Sequence, residues 1–302
     1  MAGATDISEG YDAPAVQGGG AIRRKLAAGL HLVATPIGAA RDITLRALDI
    51  LASADVLAAE DTRTLRHLME IHGIALDGRP MVPCHDHNER DATPRLLRAI
   101  AEGKSVAYAS EAGTPLISDP GFQLARAAIA EGLPVLAAPG PSAVLCALTV
   151  AGLPSDRFLF AGFPPSAQTA RRKFLEDLRD IPATLILYES PKRINHTLEE
   201  CSRVFGPLRY AAVCRELTKR FEEVSRGSLA ELVADYADRD VKGEIVLLID
   251  RAAEAAADAE TVEAALDRAL STMSVKDAAA MVAEAFGLAK RDVYQMALKR
   301  SD

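Results

Sequence analysis

Two proline-punctuated glycine loops constrain this chain more than any other feature. One is Ser110-Glu111-Ala112-Gly113-Thr114-Pro115-Leu116-Ile117-Ser118-Asp119-Pro120-Gly121, the other Ala138-Pro139-Gly140-Pro141-Ser142-Ala143. Each follows a short β-branched apolar run, and each leads into an alanine-rich helical pattern. A loop between a strand's carboxyl end and a helix's amino end is where open α/β sheets hold small molecules. A third such element, Thr35-Pro36-Ile37-Gly38, follows the first apolar run. Three of them on successive strands point to one shared ligand.

The chemistry of the loops narrows that ligand. Gly113 allows backbone angles closed to other residues and lets the main chain approach a ligand closely. Pro115 stiffens the turn and removes a donor. Thr114 brings a hydroxyl and Glu111 an acceptor for an amino group, a hydroxyl or a cation. No Gly-Lys-Ser/Thr follows, so this is no phosphate-cradling P-loop, and without GxGxxG a nicotinamide cofactor is disfavoured. Ser142 stands where a helix begins with free backbone donors, a position that equally suits a plain N-cap. Valine at Gly113 is expected to abolish ligand binding with the fold intact.

Strand-like runs at Leu30–Ala34, Val56–Ala59, Val106–Ser110 and Val135–Ala138 alternate with helical patterns, the rhythm of a mainly parallel sheet with crossover helices. Leu45, Leu48 and Leu51 share a helix face that Asp42 or Thr44 would start. Asp119 as N-cap, Pro120 as first helical residue and Gly132 past the end frame another helix, with Leu124, Ala125, Ala128 and Ile129 as its buried stripe. After Gly152-Leu153-Pro154 the rhythm changes: runs at Phe158–Phe163, Thr184–Tyr188, Tyr210–Cys214 and Glu244–Ile249 describe a second α/β unit. The expected organisation is a tail over 1–28, α/β domains over 29–152 and 153–250, and a small helical domain over 261–300 that breaks at Gly287.

The 302 residues carry a net charge of −7, which argues against a general nucleic-acid coat while leaving room for local basic clusters such as Arg171-Arg172-Lys173 and Lys192-Arg193. No apolar run approaches a membrane span, and the first 28 residues, rich in Gly, Ala and acidic side chains, lack a signal peptide's apolar core and read as disordered. Cys84, Cys146, Cys201 and Cys214 show no paired spacing, so neither a disulfide framework nor a zinc knuckle is implied. A reduced, cytoplasmic protein without a metal is the expectation.

The ordered set of motifs goes further. Besides the three loops it includes Arg41-Asp42-Ile43-Thr44, Ala59-Glu60-Asp61-Thr62-Arg63, His85-Asp86-His87-Asn88, Gly152–Phe158, Tyr188-Glu189-Ser190, Arg215–Lys219 and Lys242-Gly243-Glu244. Over about residues 30–250 this series resembles the 16S rRNA (cytidine(1402)-2'-O)-methyltransferases of the tetrapyrrole methylase superfamily. The resemblance implies two α/β domains with S-adenosylmethionine in the cleft between them, plus a small carboxyl-terminal helical segment. It implies cofactor contacts from Pro36, Glu111, Gly113, Thr114, Ile117, Ser142, Ala143, Tyr188 and Glu244. Its partner would be 16S rRNA within the small ribosomal subunit, and a homodimer is expected by resemblance. The chain departs from the family pattern at Glu111, where Asp is usual, and at Ala39-Ala40, where Asn-Leu is usual.

Moving a methyl group to a ribose hydroxyl needs in-line placement and gains from a positioned base. The candidates are Asp61, His85, His87 and Glu189. Arg63, Asn88, Arg193 and Lys219 are the expected RNA contacts, although Asp61 and Arg63 equally suit a structural ion pair. The segment Ser274–Ala280 with Lys290–Tyr294 resembles a small helix-turn-helix that touches RNA or stabilises a dimer. A tetrapyrrole-ring methylase, and a ribosome-assembly protein that binds RNA without catalysis, are the alternatives.

Overall fold

The computed structural model describes residues 21–252 and 259–301. Its first lobe is built on a parallel sheet of β1 (Gly29–Val33), β2 (Val56–Ala59), β3 (Met81–Pro83), β4 (Ser105–Ala109) and β5 (Val135–Ala138), in the order β3-β2-β4-β1-β5. Helices α1 (Leu45–Ser53), α2 (Thr62–Ile71), α3 (Glu89–Ala101) and α4 (Phe122–Ala130) are the crossovers. Alternate strand residues face opposite layers. Leu57, Ala107 and Ala109 pack with Leu51, Leu65 and Met69 of α1 and α2. Val106 and Tyr108 pack with Leu96 of α3 and Leu124 of α4. Every residue of β4 is buried, as a parallel strand covered on both faces requires.

The second lobe is a mixed sheet of β6 (Phe158–Gly162), β7 (Thr184–Glu189), β8 (Tyr210–Arg215), β9 (Glu223–Ser228) and β10 (Ile245–Ile249), in the order β6-β7-β10-β8-β9. Only β6 and β7 run parallel; β10, β8 and β9 pair antiparallel. Helices α6 (Gln168–Glu176), α7 (Ile194–Phe205) and α8 (Leu229–Tyr236) lie over one face of the sheet. The other face is covered by α5 (Ala143–Ala151), which the chain forms directly after β5. Its sequence, AVLCALTVA, is apolar around most of the circumference, the pattern of a helix buried from several sides. Val144, Ala147, Leu148 and Ala151 join Ile37 of the first lobe to Ile186, Ala212, Cys214, Val246 and Leu248 of the second sheet in one apolar cluster. This helix welds the lobes together.

Helices α9 (Ala259–Leu270), α10 (Val275–Phe286) and α11 (Lys290–Ser301) form a separate small core around Leu266, Val282 and Val293. Gly287, at φ 63°, closes α10 as expected. No helix among the described residues is long and apolar enough to cross a membrane.

Four local expectations differ from the structure. Strands β3 and β9 were not anticipated: β3 is three residues ending in proline, and β9, EVSRGS, lacks an apolar face because it is an edge strand. Helix α4 begins at Phe122, not Pro120. Gly121 takes φ 105° with Tyr108 pressed against it, and Glu89 of α3 supplies the missing cap, its Oε1 accepting from Leu124 N at 2.9 Å. Ile129 is 66% exposed rather than part of the stripe. Residues 21–28, assigned to the tail, run along the first lobe. Ile22 N donates to Asp49 Oδ1 at 2.7 Å and Arg24 pairs with Asp49. Residues 1–20 lie outside the described residues.

Because Leu148 sits in the seam between lobes, Leu148→Ala is expected to cost about 2–5 kcal/mol. A thermal or urea melt checks this; a loss of under about 1 kcal/mol would mean the seam collapses freely around the cavity.

Candidate active site

The strand carboxyl ends of the first sheet face one edge of the second sheet across a cleft of about 360 Å³. Its first-lobe wall is built by the loops after β1, β4 and β5, and these three are bolted together. Thr35 N donates to Gly113 O at 2.9 Å and Gly113 N to Thr35 O at 3.0 Å. Ser110 Oγ donates to the same Gly113 carbonyl at 2.9 Å. Thr114 Oγ1 donates to Pro141 O at 2.8 Å, tying the two long loops to each other.

The second-lobe wall comes from the ends of β7 and β8 and the start of β10. There Lys219 Nζ donates to Glu216 Oε1 and Glu244 Oε2, each at 2.9 Å, and Glu244 N donates to Glu216 Oε1 at 3.1 Å. Gly243 (φ 89°) passes under the Glu216 carboxylate so closely that a Cβ would collide with it. Across the gap, Ala39 N donates to Thr218 Oγ1 at 3.1 Å, and Gly38 packs against Thr218 and Lys219 with no room for a side chain. Leu116, Ser118, Glu216 and Thr218 all hold positive φ values between 52° and 71°. Such conformations cost on the order of 1–3 kcal/mol each and persist where surrounding structure enforces them.

One wall of the cleft is acidic. Asp119 lines it, and its carboxyl is pushed up to about 7, first by burial and then by Glu60, Glu111 and Asp86. Glu60 is also raised, again mainly by burial, with the Glu111 and Asp86 charges adding to the effect. Tyr188, facing them from β7, is pushed up to about 12 by burial and then by Asp119 and Glu244. Its ring is met edge-on by Phe160 at 4.8 Å and Phe163 at 5.4 Å. Ile37, Ala143, Leu217 and Val246 give the cleft an apolar side.

The expected site residues divide into three groups. Ala143, Tyr188 and Glu244 line the cleft, as does Glu189, although its carboxylate places it in the third group. Pro36, Gly113, Thr114, Ile117 and Ser142 belong to the loops that frame it, and Glu111 acts through its charge on Asp119. Ser142 occupies the N-cap position of α5 with its hydroxyl making no cap hydrogen bond.

The third group is committed to local structure. Asp61 caps α2, accepting from Arg63 N at 2.7 Å and pairing with the Arg63 guanidinium at 3.0 Å, and these contacts hold its carboxyl below the usual range. Glu189 accepts from Ser190 N at 2.7 Å and Thr197 Oγ1 at 2.6 Å, and its buried carboxylate pairs with Arg193 at 3.2 Å. Arg193 also donates to Pro164 O, so it braces the second lobe instead of reaching outwards. Asn88 closes its own loop, accepting from His85 N and donating to Pro83 O, and Lys219 is held between two glutamates. His85 and His87 stay near each other, ring centroids 6.0 Å apart, with His87 exposed. The Arg171-Arg172 cluster is spent internally: Arg171 is buried against the carbonyls of Pro165 and Ser166, and Arg172 pairs with Glu200.

Sequence reasoning passed over Asp119 and Glu60. Asp119-Pro120 matches a helix start so well that its cleft-facing role was masked, and Glu60 is apparent only once the neighbouring loops are assembled.

Known proteins share this arrangement. The family model described as Tetrapyrrole (Corrin/Porphyrin) Methylases matches residues 29–233. The chain belongs to the tetrapyrrole methylase family. A second model, the RsmI C-terminal HTH domain, matches residues 255–301. The ribosomal RNA small subunit methyltransferase I of Mesorhizobium japonicum is 45% identical over 92% of this chain and 94% of its own length. Among solved structures of the same fold, the methyltransferase CobJ superposes with a TM-score of 0.57 at 20% identity, covering 74% of this chain and 95% of that one. Uroporphyrin-III C-methyltransferase from Thermus thermophilus, complexed with S-adenyl homocysteine, gives 0.51 at 19% identity, covering 73% and 96%. Membership makes this tetrapyrrole methylase a methyl-transferring enzyme.

Two outcomes follow for the methylase. The fold does not stay indifferent to Gly113→Val, as Gly113 has φ 81° and a Cβ there would stand 3.3 Å from Ile37 Cγ2. The substitution is expected to cost roughly 1–3 kcal/mol of stability along with ligand binding, read by a thermal melt beside a binding titration. Asp119 binds a proton more tightly folded than unfolded, so its contribution to stability declines as pH rises from about 4 through about 7. The melting temperature of Asp119→Asn relative to wild type should therefore climb over that window; a flat difference would contradict the raised carboxyl.

Proposed function

We propose that this methylase transfers the methyl group of S-adenosylmethionine to the ribose 2'-hydroxyl of cytidine 1402 in 16S rRNA of the small ribosomal subunit, in the cytoplasm. The near-full-length match to relatives of that name carries the reading. The cleft suits the donor. Its volume lies within the range of small-molecule sites, its apolar side offers cover for an adenosine, and its acidic wall offers charge to a cationic ligand. S-adenosylmethionine would supply an electrophilic methyl on a sulfonium.

The chain's own residues would position and protect. Loops bolted through Thr35–Gly113 and Thr114–Pro141 hold one wall without rearrangement, and rigid placement is what in-line transfer needs. Exposed cations stand on the loops and first helical turns that follow the strands: Arg41, Arg90, Lys192 and Arg220, with Arg63 paired to Asp61. Such a set contacts a phosphate backbone while leaving the rest of the surface acidic. Phe163, 55% exposed at the cleft, offers a face for stacking an unpaired base. Since Asp61 and Glu189 are tied up in caps and ion pairs, His85 and His87 are the better placed candidates to accept the hydroxyl proton.

The test incubates small ribosomal subunits with the protein and methyl-labelled S-adenosylmethionine, followed by mass spectrometry of rRNA nucleosides. Labelled 2'-O-methylcytidine at one site is the expected product. Label on a tetrapyrrole alone would favour a ring methylase, and RNA binding without label would favour an assembly factor.

A further inference from the structure

Methyl transfer from a sulfonium changes the charge of the donor and little else. The donor carries a positive sulfur; the product is a neutral thioether with the same adenosine, amino and carboxyl groups. An enzyme that turns over must hold the first and release the second. The cleft contains a group placed to sense that difference.

Asp119 lines the cavity at the end of the β4 loop, directly after Ser118, whose φ of 62° turns the chain at that point. Among the described residues nothing donates a hydrogen bond or a cation to its carboxylate. The groups that act on it are Glu60 from the loop after β2, Asp86 from the loop after β3 and Glu111 from its own loop, all of the same sign. Tyr108 beneath it and Tyr188 across the cleft feel its charge in turn. His85 works on the nearby Glu60, and the Arg63 cation is committed to Asp61 with Glu111 next in reach. Glu189, also on the cleft wall, is already neutralised by Arg193. Asp119 is thus an uncompensated carboxyl on a cavity wall, surrounded by like charge, where an incoming cation gains the most.

We propose that Asp119 is the charge-selective group of the cleft, favouring the sulfonium donor over the neutral thioether that methyl transfer leaves behind. The proposal rests on the reading of the cleft as the S-adenosylmethionine site. Burial and like charge push the Asp119 carboxyl up to about 7. A cation beside it lowers a carboxyl's pKa by roughly one to three units, so binding of the donor expels a proton near neutral pH. Binding of the thioether leaves the proton in place. Linkage then requires the donor's affinity to rise with pH, by about tenfold for each unit of that lowering, while the product's affinity stays level.

Isothermal titration of S-adenosylmethionine and S-adenosylhomocysteine into the full chain, from pH 6 to pH 8.5 in buffers of different ionisation enthalpy, tests this. The expected result is proton release on binding the donor alone, with the donor-to-product affinity ratio rising by roughly five- to tenfold across the range. Asp119→Asn should flatten that rise, holding the ratio near its low-pH value, with S-adenosylhomocysteine still bound. Identical pH dependence for the two ligands in wild type would overturn the proposal, because the group would then answer to the shared amino terminus. An unchanged ratio profile in Asp119→Asn would overturn it as well. Should the variant not fold, the wild-type proton count and ratio decide alone. If wild type binds neither ligand, the reading of the cleft itself fails and this proposal with it.

Discussion

Everything about the cleft depends on how α5 is buried. A helix with the sequence AVLCALTVA leaves only Leu145 and Thr149 exposed, so the chain must cover the rest of its apolar circumference. The first sheet delivers it at the end of β5, and the second sheet receives it through Ile186, Ala212, Val246 and Leu248. That choice sets the angle and distance between two lobes that would otherwise meet only through loops. It also fixes the amino end of α5, with Ala143, on the floor of the cleft.

Given that seam, the loops have little freedom left. The hydrogen bonds between Thr35, Gly113 and Pro141 convert three separate turns into a single surface, and the residues held at positive φ lie on both sides of the gap. Strain of this kind is maintained by packing elsewhere. Burial and like charge in the wall likewise oppose stability while making the site responsive to a cation.

Much of this was legible in the sequence, for identifiable reasons. Apolar runs bounded by glycine and proline marked eight strands, because buried strands need such runs and loops need such residues. The three Pro-Gly loops announced the first-lobe wall for the same reason. What escaped were features carried by pairs distant in the chain. Glu89 capping α4 and Arg172 pairing with Glu200 depend on where elements come to rest, and periodicity holds no record of that. Asp119 escaped because its local signature as a helix start is genuine chemistry at the wrong residue. Glu189 and Asp61 looked catalytic since a carboxylate after a strand faces a cleft as often as it caps or braces a helix.

The Glu89 cap has a mechanical consequence. Glu89 opens α3, one residue beyond the loop that carries His85 and His87, and its carboxylate holds the first turn of α4, which follows the loop of Asp119. The two loops therefore share a single fastening, and neither is free to travel without dragging the other. Whatever presses on the histidine loop from outside is felt at the floor of the cleft, so the outer and inner halves of the site behave as one lever.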